Sequence, residues 1–304
     1  MSFASDTKSE LCRTPMSKPC CARAELYGIL LFCNTFHAGE LRILTEHRGF
    51  LQRSERLLRR AAGVEADERS GEPGGKLSLT VRDPGKLRAI CALFGSDPER
   101  NPALHVNLGV LEEDCCRASF LRGAFLAGGS ITSPKKSYHL ELITGHYSVS
   151  REVSTLLREM DFRPGSLARN GNYVVYFKHS EAIEDLLTLM GAPMAALDLM
   201  NAKVEKEMVN KVNRRINCDE ANLDKTVNAA VSQLGAIRRL RESGRLDSLS
   251  PKLQEAARLR LAHPELNLSQ LGALAEPPVT KSTFNYRMKK LMELAEENGR
   301  PTEA

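Results

Sequence analysis

The chain has 304 residues, 42% of them hydrophobic and 27% charged, which suits a globular protein of more than one domain and excludes wholesale disorder. Trp is absent and aromatic residues make up only 5%, which argues against a ring-rich surface for stacking on sugars or bases. The net charge of +5 is too mild to name a nucleic-acid partner by itself, so the placement of the cations matters more than their number.

The first dozen residues, MSFASDTKSELC, lack a basic stretch followed by an apolar run, so no secretory signal is read there. Residues 1–19 are expected to form a helical lead-in. The longest apolar run, Tyr27-Gly-Ile-Leu-Leu-Phe-Cys33, is far shorter than the roughly 20 residues that span a bilayer. A cytoplasmic chain with no membrane partner is expected. The cysteines are Cys12, Cys20, Cys21, Cys33, Cys91, Cys115, Cys116 and Cys218, with no C-x-x-C among them. Metal sites usually declare themselves by ligands spaced as C-x(2–4)-C, so no metal and no cofactor are expected, and the thiols are read as small, reduced and mostly buried.

An internal repeat organises the next two thirds. CCARAELYGILLFCN, from Cys20, aligns with CCRASFLRGAFLAGG, from Cys115, so that Cys20, Cys21, Leu26, Gly28 and Leu31 meet Cys115, Cys116, Leu121, Gly123 and Leu126. After a short insertion in the second copy, Leu41, Thr45, His47 and Leu57-Leu58-Arg59 meet Leu140, Thr144, His146 and Leu156-Leu157-Arg158. Gly75-Lys-Leu-Ser-Leu-Thr-Val81 then falls on Gly171-Asn-Tyr-Val-Val-Tyr-Phe177. The order is kept throughout, which identifies a duplication with copies at about 20–95 and 115–191.

Each copy has the same grammar. An apolar helix (about 20–34, about 115–128) is followed by a strand pattern, Glu40–Thr45 or Tyr138–Ile143. A helix with apolar residues at three-four spacing follows: Phe50, Leu51, Leu57 and Leu58, or Val149, Val153, Leu156, Leu157 and Met160. A hairpin comes next, with Asn170-Gly171 supplying the positive φ angles of a type I′ turn in the second copy. A helix at about 84–94 or 180–190 closes the copy. The fold class is therefore α+β, with a duplicated αββαββα domain at 20–192.

The first helix of each copy carries small residues where a good helix former would be cheaper: Gly28, and Gly123, Ala124, Ala127 and Gly128. Small side chains let two helix backbones approach closely, and the natural partner is the same helix of the other copy. These segments resemble the LAGLIDADG motif of homing endonucleases, in which two such helices pack about a pseudo-two-fold axis. In that family the last Asp of each motif binds the catalytic metal. Leu121 and Gly123 match the motif's first residue and first Gly, as do Leu26 and Gly28, but Gly128 and Cys33 stand where the two acids belong. Neither offers the carboxylate oxygens that Mg²⁺ requires. The resemblance implies the fold without the nuclease chemistry, and a chain that is not an enzyme.

From Pro193 the pattern becomes helical throughout. Residues 193–221 are polar and charged, and are expected to form a helical linker whose end, with Arg214 and Arg215, could touch phosphates. An all-α domain at 222–304 follows. Asn222 is an apt N-cap for a helix with Leu223, Val227, Ala230, Leu234, Ile237 and Leu240 on one stripe, ending at Gly244. Ser250-Pro251 opens a second helix, and Asn267–Ala275 forms a short third. The turn Glu276-Pro-Pro-Val-Thr280 then leads into a last helix from Lys281 to about Glu297. A short helix, tight turn and longer helix make a helix-turn-helix. On the last helix Phe284, Met288, Leu291 and Ala295 form the buried stripe. Thr280, Lys281, Ser282, Asn285, Tyr286, Arg287, Lys289 and Lys290 are the expected contacts to double-stranded DNA, with Asn285 suited to an adenine edge.

Taken together, the chain resembles the WhiA family nearly end to end. The most specific stretches are Met1-Ser-Phe-Ala-Ser5, Leu121–Ile131, Asn213-Arg-Arg-Ile-Asn-Cys-Asp-Glu-Ala-Asn222 and Leu249-Ser-Pro-Lys-Leu253. Lys281, Ser282 and Asn285 match that family's recognition-helix pattern, while Phe284 and Tyr286 depart from its usual small apolar residue and His. The resemblance implies a cytoplasmic, nucleoid-associated regulator of transcription linked to cell division and chromosome segregation and, in spore-formers, to sporulation. The LAGLIDADG-like saddle is expected either to keep DNA or to dock other transcription or cell-division proteins. The alternative to promoter control is a scaffold in cell division that does not regulate transcription directly.

Overall fold

The computed structural model describes residues 2–72, 75–96 and 103–296. Its contacts divide the chain between Lys206 and Glu207 into two compact units. The expected end of the last helix at Glu297, the tail to Ala304 and Met1 of the opening motif lie outside the described residues. Among the described residues, no helix is long and apolar enough to cross a membrane.

The first unit opens with α1 (Phe3–Arg13), whose first turn is capped by Ser2 Oγ accepting from the Ser5 amide. The first copy follows as α2 (Pro19–Phe32), β1 (Thr35–His37), β2 (Glu40–Thr45), α3 (Arg48–Leu57), β3 (Glu68–Ser70), β4 (Leu77–Val81) and α4 (Pro84–Leu93). The second repeats that order as α5 (Asp114–Gly128), β5 (Gly129–Ile131), β6 (Leu140–Thr144), α6 (Tyr147–Glu159), β7 (Gly165–Arg169), β8 (Asn172–Phe177) and α7 (Ser180–Met190). Each copy makes one antiparallel sheet, in the order β1-β2-β4-β3 and β5-β6-β8-β7.

Strand register repeats with the sequence alignment. Leu41 pairs with Val81 and Thr45 with Leu77 in the first sheet. Their repeat partners Leu140 with Phe177 and Thr144 with Tyr173 pair in the second. The hairpin between β7 and β8 turns on Asn170 and Gly171 at φ 52° and 76°, the left-handed pair expected of a type I′ turn. The repeated Thr and His have local duties. Thr45 Oγ1 and Thr144 Oγ1 accept from the amides of His47 and His146, at the starts of α3 and α6.

The core is centred on α2 and α5, which are buried nearly all round and so present no polar face to water. Their backbones meet at the two glycines. A Cβ on Gly28 would lie 2.1 Å from the Phe120 carbonyl oxygen, and one on Gly123 would lie 2.1 Å from that of Glu25. The two clashes are reciprocal, as a two-fold relation between the helices requires.

Beside this contact lies a buried ionic cluster. Glu25, 1% exposed, is held on both carboxylate oxygens by Arg53 and on Oε2 by Arg122 Nε at 3.1 Å. Arg53 also donates to the Cys12 and Thr14 carbonyls at 2.9 and 2.7 Å, and Arg122 to the Met190 carbonyl at 2.8 Å. A single carboxylate on α2 thus ties together the segment after α1, α3, α5 and the end of α7.

The charged stretch after Met190 is not a linker followed by a new helix. It is one helix, α8 (Pro193–Glu242), running without a break through Asn222. Asn222 caps nothing: its amide nitrogen lies 3.6 Å from Cys218 Sγ, one turn back. The physical reason is composition. Residues 194–234 contain no Gly or Pro and are rich in Ala, Leu, Met, Lys and Glu, so nothing stops propagation, and a cap residue acts only where the residues before it leave the helix. The expected stripe is also only half realised, because Leu223 and Val227 are exposed and burial begins at Ala230. Gly244, at φ 70°, lies just past the helix as expected.

The second unit packs Ala236, Ile237 and Leu240 of α8 with α9 (Pro251–Ala262), α10 (Leu268–Ala273) and α11 (Lys281–Glu296) around Leu271, Phe284, Met288 and Leu291. Asn267 caps α10 with a full capping box, its side chain accepting from Ser269 and Gln270 while Gln270 Oε1 accepts from its amide.

Candidate nucleic-acid interface

The turn between α10 and α11 is closed by backbone contact. The Val279 amide donates to the Gly272 carbonyl at 2.8 Å, and a Cβ on Gly272 would lie 2.5 Å from the Val279 carbonyl oxygen. Glycine at this position is what lets the turn fold against α10. Thr280 begins α11, its Oγ1 accepting from the Thr283 amide and its carbonyl from the Phe284 amide. Thr280 therefore does capping work whatever else it touches.

The buried stripe of α11 is the expected one, Phe284, Met288, Leu291 and Ala295, with one addition. Arg287 is 8% exposed and its Nη1 donates to Glu255 Oε2 of α9 at 3.0 Å. Its expected role as a DNA contact is corrected: the guanidinium is committed to the interior of the unit. Glu255 Oε1 in turn accepts from the Glu276 amide in the turn at 2.7 Å. One carboxylate therefore ties both the turn and α11 to α9. Neither Glu255 nor Gly272 was expected from the sequence as part of the site.

The opposite face is free. Lys281, Ser282, Tyr286 and Lys289 are exposed, Tyr286 at 68%, with Asn285 half-buried between them. Lys290 is half-buried and lies 3.3 Å from Glu293, so it is a weaker source of unpaired charge. Lys281, Asn285 and Lys289 follow one another at four-residue spacing, so the face combines two cations with one amide. Arg214 and Arg215 are exposed on α8.

The first unit brings Cys33 and Gly128 together. Phe32, Cys33, Asn34, Gly128, Ser130 and Thr144 line one cleft, and no acid is among its described lining residues. Cys33 ends α2 with its sulfur 3.3 Å from the carbonyl oxygens of both Leu30 and Thr35, and enclosure pushes its thiol up to about 12. Gly128 has no room for any side chain, since a Cβ there would lie 2.3 Å from the Ile143 carbonyl oxygen.

Residues 117–209 match the family model described as the WhiA LAGLIDADG-like domain, and residues 212–295 match the WhiA C-terminal HTH domain. The chain is 39% identical to the probable cell division protein WhiA of Desulforudis audaxviator over 97% of both chains. It is 36% identical to that of Ruminiclostridium cellulolyticum, again over 97% of each. The chain belongs to the WhiA family. Its fold is that of the full-length WhiA crystal structure from Thermatoga maritima, at TM-score 0.61 and 22% identity, covering 98% of this chain and 99% of that one.

Within this WhiA fold the strand cations are mostly spoken for. Arg82 pairs with Glu40 and Glu68 at 3.1 and 2.9 Å, Arg42 with Glu40 at 3.5 Å, and Arg169 with Glu141 at 3.3 Å. Lys178 lies over the Tyr176 ring at 5.0 Å. The sheets thus carry charge mostly in compensated pairs, whereas α11 presents Lys281 and Lys289 on its exposed face beside Ser282, Asn285 and Tyr286.

Proposed function

We propose that this WhiA chain is a sequence-specific double-stranded DNA-binding regulator of transcription, linked to cell division and chromosome segregation and, in a spore-forming host, to sporulation. The observation that carries this reading is the outward face of α11, with Lys281, Ser282, Asn285, Tyr286 and Lys289 exposed or half-exposed on a helix whose other face is locked into the unit. Asn285 would read an adenine edge and the lysines would hold phosphates, the division of labour in which phosphate contacts position and base contacts specify. That relatives are named as probable cell division proteins supports the link to division in this reading.

The LAGLIDADG-like unit in this reading cuts no DNA. Metal-assisted phosphodiester cleavage needs carboxylates at the helix ends, and an enclosed thiol and a sterically closed glycine occupy those places. Full-length protein incubated with plasmid and genomic DNA in Mg²⁺ or Mn²⁺ should leave both intact. Chelator-sensitive nicking that tracks this chain through purification would contradict it.

A second reading, a scaffold docking division or transcription proteins, is favoured by one observation. Helix α8 exposes Met208, Val209, Val212, Ile216, Leu223, Val227 and Val231, an apolar series that protein partners could cover. Mapping the chain's DNA contacts across its genome separates the two. Discrete peaks sharing a sequence, lost with Asn285→Ala, support the regulator. Recovery through division proteins without sequence-specific peaks supports the scaffold.

A further inference from the structure

Two cysteine doublets far apart in sequence converge in space. Cys20 and Cys21 occupy the first turn of α2, Cys115 and Cys116 the first turn of α5, and the four Sγ atoms all lie within 4.8 Å of one another. The doublets are repeat equivalents, so the cluster lies where the pseudo-two-fold axis relates the two helix starts. It is separated from Cys33 and the former acid cleft by the length of α2, about 20 Å at 1.5 Å per residue.

We infer that these four cysteines form a tetrathiolate site for a structural zinc ion, which clamps the N-terminal ends of α2 and α5. Four thiolates around Zn²⁺ at about 2.3 Å stand roughly 3.8 Å apart, so small rotations of the side chains close the present spacing into a tetrahedron. Each thiol gives its proton to solvent as its S–Zn bond forms, so uptake of one ion releases up to four protons, with no oxidant or reductant involved. Two features offset part of the site's net negative charge. The amide ends of two helices point at it, and Lys18 Nζ lies 3.9 Å from Cys115 Sγ. Cys20 is exposed and gives an entry path, Cys116 is buried and gives a dry wall, and Cys21 and Cys115 lie between.

The spacing along the chain hides this site, because the usual signature counts ligands on one loop and here the interface supplies the spacing. Adjacent cysteines on a helix look unsuited to one ion until a second helix brings its own pair.

The test uses the full chain, reduced and stripped of metal, titrated with Co²⁺ and then Zn²⁺ under anaerobic conditions. The expected result is one equivalent bound, with thiolate-to-cobalt charge-transfer bands and the d–d absorption of a tetrahedral site, both erased by one equivalent of Zn²⁺. Zn²⁺ should also raise the melting temperature and protect four thiols from alkylation. Cys20→Ser/Cys115→Ser should lower the affinity at least a hundredfold, while Cys218→Ser, exposed on α8, should bind as the parent does. Absence of the cobalt spectrum in the reduced parent would overturn the inference, and needs no variant to fold. So would a spectrum unchanged in the double variant, or a disulfide within the cluster that survives cytosolic reducing conditions.

Discussion

Arg287 shows how one side chain changes meaning with its place on a helix. It lies three residues after Phe284 and four before Leu291, positions that share the inward face, so periodicity alone marks it as buried. Its positive charge, beside Lys281, Lys289 and Lys290, points the other way. Arg287→Ala should therefore act on stability: removing the guanidinium leaves Glu255 short of a partner and costs about 1–3 kcal/mol, measured by urea unfolding. Asn285→Ala should do the reverse. It should leave the unfolding free energy within about 0.5 kcal/mol of the parent's and remove about 1–3 kcal/mol of discrimination at one base pair. Lys289→Ala should weaken all sequences alike and reduce the salt slope of binding by about one unit, read from isotherms across a salt series. An Arg287→Ala protein that is as stable as the parent but blind to DNA would contradict a structural role for the pair with Glu255. Glu255 itself was not legible, because its two bonds run to residues 276 and 287, which only the folded unit brings within reach.

At the scale of elements, the duplication was open to inspection because the same pairs of positions recur in order, and the strand pairs Leu41–Val81 and Leu140–Phe177 follow directly from it. The three-residue strands β1, β3 and β5 had no such signal. Three residues cannot display alternation, and β3 is exposed throughout. The close approach of α2 and α5 was visible in the glycines, and the reciprocal contacts give it a test. Gly28→Ala or Gly123→Ala forces a methyl group into a backbone carbonyl and should destabilise the first unit by about 1–3 kcal/mol or more. Gly145→Ala, where nothing lies within 4 Å, should change little. The buried cluster sharpens the point. Glu25→Ala strands Arg53 and Arg122 in the interior and should cost roughly 3–5 kcal/mol. Thermal unfolding of the four variants side by side would show whether the order holds, and a Glu25→Ala protein as stable as the parent would refute the account of the core.

For the whole molecule, sequence and structure part company at α8. Local preference pointed to a boundary at Asn222, but helix propagation through a stretch without Gly or Pro made one element of the expected linker and the helix after it. The larger division of labour follows from comparing the two units. In one, Cys33 and Gly128 stand at the ends of the two central helices and strand cations are mostly paired with glutamates. In the other, a helix with one face buried presents lysines, an asparagine and a tyrosine on the other. Specific DNA binding without cleavage is the claim that joins them. The most direct measurement takes the full-length chain in Mg²⁺ with a DNA fragment recovered from its own genomic contacts, beside Asn285→Ala and a scrambled fragment. Binding isotherms and strand integrity are then read on the same samples. The account predicts tight binding to the recovered fragment, an operator-to-scrambled ratio that falls roughly tenfold or more with Asn285→Ala, and DNA that stays whole. An unchanged ratio in the variant, or cut strands that chelation spares, would contradict it.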